Sequence, residues 1–218
     1  MADDTLIRLR RLDSCALSDA LDRLKLEGAV SGLAPRSVHQ RIAGRVRTVG
    51  LGPAGGTPAP RHLCTAAIEA ADPGDVIVVE QRTGIEAAGW GGILSTGAKA
   101  KGVAGVIVDG PARDIDEASE LAFPVYARSL TARTARGRIV EVTTGEPVTI
   151  GGITVRPGDY VLADGSCVVF VAAAEIERVL AIAEEIARRE AAMAKAALAG
   201  GRMSEVMGAD YERMLAQR

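Results

Sequence analysis

Residues 75–114 read DVIVVEQRTGIEAAGWGGILSTGAKAKGVAGVIVDGPARD. Two fully apolar runs, VIVV (76–79) and VAGVIV (103–108), bracket GGILSTGAKAK (91–101), which reads as a short helix. Apolar runs without alternation are strands buried on both faces. A strand, a helix and a strand joined by short links make a βαβ unit, whose strands pair in parallel. The expected fold class is therefore α/β.

The rest of the chain is read outward from this unit. Asp72-Pro73-Gly74-Asp75 is a turn by its chemistry. Before it come a helix over 61–71, a Gly/Pro loop over 51–60 (LGPAGGTPAP), a strand over 44–50 and an irregular stretch over 28–43. The N-terminal stretch 4–26 is expected to be helical, with Ser14 capping a turn that begins at Cys15 and Leu17, Leu21 and Leu24 at helical spacing. Beyond Asp114, IDEASEL is a short helix and Val125 starts a further strand. Residues 138–171 carry Gly151-Gly152, Pro157-Gly158-Asp159 and Asp164-Gly165 between short alternating runs, a series of β-hairpins. From Ala174 to Leu198 the chain is rich in Ala and Glu, with Ile176, Val179, Leu180, Ala183 and Ile186 forming an apolar stripe. Gly200-Gly201 breaks that helix, and MSEVMGADYERML forms an amphipathic tail helix. The expected organisation is one α/β domain over 1–172 and a C-terminal helical extension over 173–218, packing on the domain or on a neighbouring subunit.

Composition removes several functions. Aromatic residues make up 3% of the chain, too few for a stacking platform for single-stranded nucleic acid. The net charge is −2 with no basic block, so no nucleic-acid partner is expected. No apolar run is long enough for a bilayer, and MADDTLIRLR lacks the basic start and apolar stretch of a signal peptide, so the expected location is cytoplasmic with no membrane partner. Cys15, Cys64 and Cys167 lie far apart in apolar sequence, with only His39 and His62 to join them. They are expected to be three buried thiols, neither a zinc cluster nor a nucleophile.

Two stretches carry chemistry. A helix that opens with Gly91-Gly92-Ile93-Leu94 exposes unpaired N–H groups and the positive end of its dipole, where a carboxylate or phosphate would be held. The bland alternative is a tight turn after Trp90. In VIVDGPARD (106–114) a strand is expected to end at Asp109-Gly110, after which a loop presents Arg113 and Asp114. Ligands of open α/β sheets bind beyond the carboxyl ends of strands. The bland alternative here is a surface ion pair worth little. An anion-binding helix start, a carboxylate for a metal and a guanidinium together suit chemistry on a small 2-oxo acid. His62 follows the Gly/Pro loop and is a lesser candidate. Lys99 and Lys101 read as exposed, unsuited to a Schiff base. GLGPAG (50–55) lacks the Lys-Ser/Thr of a P-loop.

WGGILSTGAKAKGVAGVIVDGPARDIDE (90–117) resembles the signature of the RraA-like family. Ser18-Asp19-Ala20-Leu21 is similar to its N-terminal SDAL motif, and Pro73-Gly74-Asp75-Val76 to its PGDV turn. The resemblance covers nearly the whole chain. It implies an α-β-β-α sandwich of the swivelling-domain type, with a long C-terminal helical tail here. It implies homotrimers, sometimes paired into hexamers, with active sites between subunits. Members include 4-hydroxy-4-methyl-2-oxoglutarate / 4-carboxy-4-hydroxy-2-oxoadipate aldolases and regulators of ribonuclease E.

For the aldolases the resemblance assigns a divalent metal, Mg²⁺ or Mn²⁺, to Asp114. The substrate carboxylate falls to the amides of Ile93 and Leu94 at the Gly91-Gly92 start, and the oxygen that becomes the enolate falls to Arg113. The same electron sink would decarboxylate oxaloacetate. A tail glutamate lent across an interface would be Glu205. One position departs: many aldolases carry an acidic residue where this chain has Gly92, and Asp116, Glu117 or a neighbouring subunit's carboxylate would have to compensate. The alternatives are a non-catalytic regulator of a ribonuclease, or a lyase or hydrolase acting on a different small acid. Methyl transfer is set aside for want of an adenosylmethionine-binding loop.

Overall fold

Strand β3 (Ile42–Pro53) organises the computed structural model, which describes residues 4–55 and 61–208. Its first residues, Ile42 to Arg45, pair antiparallel with β10 (Tyr160–Ala163), which continues to β11 (Val168–Val171) and β1 (Ala29–Val30). From Val46 onward its other edge pairs in parallel with β4 (Val76–Glu80). Parallel β5 (Gly105–Ala112) and β6 (Val125–Leu130) follow, and β2 (Ala34–Pro35) closes that wing antiparallel to β6. β7 (Ile139–Thr144) lies antiparallel on the last part of β3, with a register shift at Gly50/Leu51. β8 (Val148–Ile150) and β9 (Ile153–Val155) form a separate hairpin.

The two wings face each other across an inner core. Val76, Val78, Ile107 and Tyr126 come to it from the parallel wing, and Val161, Ala163, Val168 and Phe170 from the antiparallel wing. On the outer face of the parallel wing, Ile77, Val79, Val106, Val108, Val125 and Ala127 meet α3 (Thr65–Ala70), α4 (Gly92–Ala100) and α5 (Ile115–Glu120). On the outer face of the antiparallel wing, Tyr160, Leu162, Val169 and Val171 meet α2 (Ser14–Leu24) and the first half of α6 (Ile176–Leu198). The layers run α-β-β-α, as expected, with both β layers belonging to one curled nine-stranded sheet. Successive residues of the central strands feed different cores, which is why Val76–Val79 of β4 and Val106–Val108 of β5 are apolar at every position.

Several local expectations are corrected. The N-terminal helix is two helices, α1 (Asp4–Leu9) and α2, broken at Arg10–Asp13. Asp13, not Ser14, caps α2: its carboxylate accepts the Ala16 N–H at 2.8 Å. Ser14 is buried instead and bonds to Asp164. β3 runs past the expected strand to Pro53, and β5 runs through Asp109-Gly110 to Ala112, because a register shift between Val108 and Pro111 absorbs the Gly-Pro pair. α3 starts only at Thr65, after Cys64 adopts a left-handed conformation. The hairpins β8–β9 and β10–β11 form as expected, whereas β7 joins β3. Of the three cysteines only Cys64 is buried; Cys15 is exposed on α2, and Cys167 is half-buried just before β11, at the edge of the core under α2 and α6. The tail helix forms only as α7 (Met203–Val206) and has ended by Met207 and Gly208; the remainder of that expectation from 209 on, like residues 56–60 of the Gly/Pro loop, lies outside the described residues. Among the described residues, no helix is long and apolar enough to cross a membrane.

Candidate active site

The end of β5 is zipped to the start of α4. Gly89 N–H donates to Pro111 O at 2.8 Å, Arg113 N–H donates to Trp90 O at 3.0 Å, and Trp90 bridges Ala112 in parallel. This short backbone ladder sets Gly91-Gly92 beside Arg113-Asp114 across twenty-two residues of chain. Trp90 fixes the helix start from behind. It is buried, stacks on Phe123 at 6.3 Å between ring centroids, and donates its indole N–H to Ser95 Oγ at 2.9 Å.

Asp114 holds the N-cap position of α5 but does not cap it. Its backbone is left-handed, with φ 56° and ψ 43°. Its carboxylate turns to the other helix: Oδ2 accepts the Gly92 N–H at 3.0 Å and lies 3.2 Å from Arg113 Nε. Asp tolerates this conformation better than most residues, yet the strain persists only where surroundings impose it. Cys64, between the cleft-lining Leu63 and Thr65, also has a positive φ, as do Lys25 and Ala122 elsewhere among the described residues. Its N–H is held by Glu141 Oε2 at 2.7 Å. Burial, and then the Glu141 carboxylate, push its thiol well above the usual range, which disfavours the reactive thiolate.

The cleft between these walls has a volume of about 340 Å³. Gly91, Gly92, Ile93 and Leu94 form one side, with Arg113 and Asp114 next to them and His62 across. Gly91 has no side chain to cap α4, and Gly92 N–H is taken by Asp114, so the amides of Ile93 and Leu94 remain without an intrahelical acceptor. The two glycines are there for room. A Cβ on Gly91 would come within 2.8 Å of Asp114 Oδ2, and one on Gly92 would overlap the Glu117 carboxylate.

The sequence-level candidates thus separate. Gly91, Gly92, Ile93, Leu94, Arg113 and Asp114 converge, and His62 joins them. Glu205 does not: it sits exposed on α7, 3.5 Å from Arg202, and does not line the cleft of its own chain. Lys99 is exposed and donates to Ala122 O. Sequence reading missed Thr134 and Arg136, which line the cleft from the loop after β6. The rule that ligands bind beyond strand carboxyl ends would have found them, once β6 was placed beside β5. Among the described residues no group of three or more His, Cys, Asp or Glu side chains converges as a metal cage.

The strand-end cleft of this α/β protein brings together a helix N-terminus, an Arg and a strained Asp. The family model RraA-like (Aldolase/RraA) matches residues 14–170, and the chain belongs to that family. It is 30% identical over 178 residues to the Halalkalibacterium halodurans protein named "Putative 4-hydroxy-4-methyl-2-oxoglutarate aldolase", covering 81% of this chain and 80% of that one. Among solved structures it is similar to an uncharacterized protein from Pseudomonas syringae, with TM-score 0.85, 29% identity, and coverage of 95% and 98%. It is also similar to Streptomyces coelicolor RraAS2, described as an unusual member of the RNase ES inhibitor RraA family, with TM-score 0.76, 27% identity, and coverage of 87% and 95%. The match spans 33% of one longer curated relative and 56% to 61% of several others.

Proposed function

We propose that this chain is a divalent-metal-dependent lyase that breaks a carbon–carbon bond in a small 2-oxo acid. Its reaction is aldol cleavage of 4-hydroxy-4-methyl-2-oxoglutarate or 4-carboxy-4-hydroxy-2-oxoadipate, or decarboxylation of oxaloacetate, with pyruvate as the common product. The observation that carries this reading is Asp114. It is held left-handed, turned off its own helix onto the start of α4, and set beside Arg113 in an open cleft. The name of the Halalkalibacterium relative supports the reaction class.

Cleavage leaves a carbanion beside a ketone, and the negative charge moves onto the ketone oxygen. Arg113, steadied by Asp114, is aimed to donate hydrogen bonds to that oxygen as its charge grows. The amides of Ile93 and Leu94 hold the substrate carboxylate, helped by the dipole of α4. The donors fit Mg²⁺ or Mn²⁺. The carboxylate among the cleft-lining residues is that of Asp114, a hard oxygen donor, and such ions bind through one or two carboxylates while keeping water. Asp114 would hold the ion, which supplies Lewis-acid polarisation of the 2-oxo group. For an aldol substrate a base must also take the 4-hydroxyl proton. Glu205 would serve only in a neighbouring copy's cleft, within a homotrimer or hexamer. A cytoplasmic location and no nucleic-acid or membrane partner go with this reading.

The test is pyruvate release from oxaloacetate and 4-carboxy-4-hydroxy-2-oxoadipate, coupled to lactate dehydrogenase, with and without Mg²⁺ or Mn²⁺. Metal-dependent release that disappears in Asp114→Ala supports the reading. No release and no metal binding overturn it. The similarity to RraAS2 then favours a ribonuclease-binding regulator, read by recovery of a ribonuclease in a pull-down.

A further inference from the structure

We infer that Glu117 is a second metal-positioning carboxylate of this site, coupled to Gly92: the glycine omits a side chain, and Glu117 occupies the space. This rests on the metal-dependent reading above. A Cβ built on Gly92 overlaps Glu117 Oε2, with Glu117 Cδ at 2.8 Å and Asp114 Cβ at 3.2 Å. Gly92 is helical and Gly91 extended, so neither position needs a glycine for its backbone. Glycine is also the poorest helix former after proline. What the site requires at 92 is empty volume, and a carboxylate fills it.

A structural account of Glu117 would make it the third-position partner of a capping box at the start of α5, reaching back to the N-cap residue. Asp114, the N-cap residue, makes no side-chain cap bond, and its carboxylate points at α4. Asp114 and Glu117 are three residues apart and share a side of the helix start. Both carboxylates therefore gather over Gly92. Their mutual repulsion is relieved by the positive end of α4 and by Arg113. A hydrated divalent cation relieves it further, and such ions favour one or two carboxylates plus water. Glu117 is exposed at the rim and does not line the cleft, so it acts on the ion and its water rather than on substrate. It is a positioning residue.

The experiment is Mn²⁺ titration of the full chain by calorimetry, without substrate, with melting curves for each variant. Glu117→Gln keeps the shape and removes the charge, and is expected to weaken Mn²⁺ binding about 10-fold or more. Glu117→Ala is expected to weaken it at least as much. Adding Gly92→Asp to Glu117→Ala puts a carboxylate back from the other side of the vacated space, and is expected to restore affinity to within a few-fold. Parent-like binding by Glu117→Gln overturns the inference, as does a double variant as weak as Glu117→Ala. If Asp114→Ala abolishes binding while Glu117→Gln is unchanged, this inference alone fails. If the parent binds no Mn²⁺, the metal-dependent reading fails with it.

Discussion

Asp114 and Asp164 do the same thing at first sight. Each follows a strand, β5 or β10, and each accepts an N–H from the start of a helix distant in sequence. Asp164 is saturated. Its Oδ2 takes Ser14 N–H at 2.9 Å, and its Oδ1 takes the Ser14 hydroxyl at 2.7 Å and Ser166 N–H at 2.9 Å. Burial alone would push its carboxyl up, but the hydrogen bonds from Ser14, Ser166 and Cys167 together hold it below the ordinary range. Its backbone is not among the residues at positive φ. Asp114 has one backbone donor and one guanidinium neighbour, a strained backbone, and a third of its side chain open to the cleft. A saturated carboxylate staples a helix to a sheet. An under-used, strained one leaves acceptor capacity open to the cleft, which is what the proposed function draws on.

The comparison is broken or sharpened by four measurements. Asp114→Asn keeps the left-handed tolerance and an acceptor for Gly92 N–H but loses the charge; lyase turnover is expected to fall about 10²–10³-fold with little change in melting temperature. A fall in stability of the same weight would make Asp114 a second staple. Arg113→Lys removes the planar fork, and turnover is expected to drop about 10²-fold. Parent-like rates would remove Arg113 from the chemistry. Asp164→Ala strands the donors at Ser14 and should cost about 2 kcal/mol in urea unfolding, with the rate per folded molecule unchanged. The smallest effect is on pH. Because the Asp164 carboxyl lies below its ordinary value of 3.8 in the folded chain, it adds stability above about pH 4 that is lost as the pH falls further. Urea midpoints for the parent are expected to drop more steeply below pH 4 than those of Asp164→Asn.

How much was legible depends on the range of the cause. The βαβ centre was readable because apolar runs such as VIVV and VAGVIV admit one environment, a strand covered on both sides. The Gly91–Leu94 and Arg113-Asp114 segments were readable because a glycine-opened helix and a polar strand end are local signals. The N-cap of α2 was misread because Asp13 and Ser14 are both good caps, and the choice fell to Asp164, 150 residues away. β5 was cut short because Gly110-Pro111 reads as a strand end, while a bulge beside β6 lets the pairing resume. Thr134 and Arg136 carried no local mark, since their place depends on which strand lies next to β5.

The amino-acid sequence by itself determined the α/β class, the central βαβ unit, the family and the segments that carry chemistry, because these follow from periodicity and residue type within a few turns of chain. Only the tertiary structure decided that Asp114 abandons its own helix for Gly92. Only it decided that Glu117 takes the volume Gly92 leaves, and that Glu205 stands apart. The first two outcomes depend on the parallel ladder between Gly89–Trp90 and Pro111–Arg113, which sets the distance between two loops that no local preference relates.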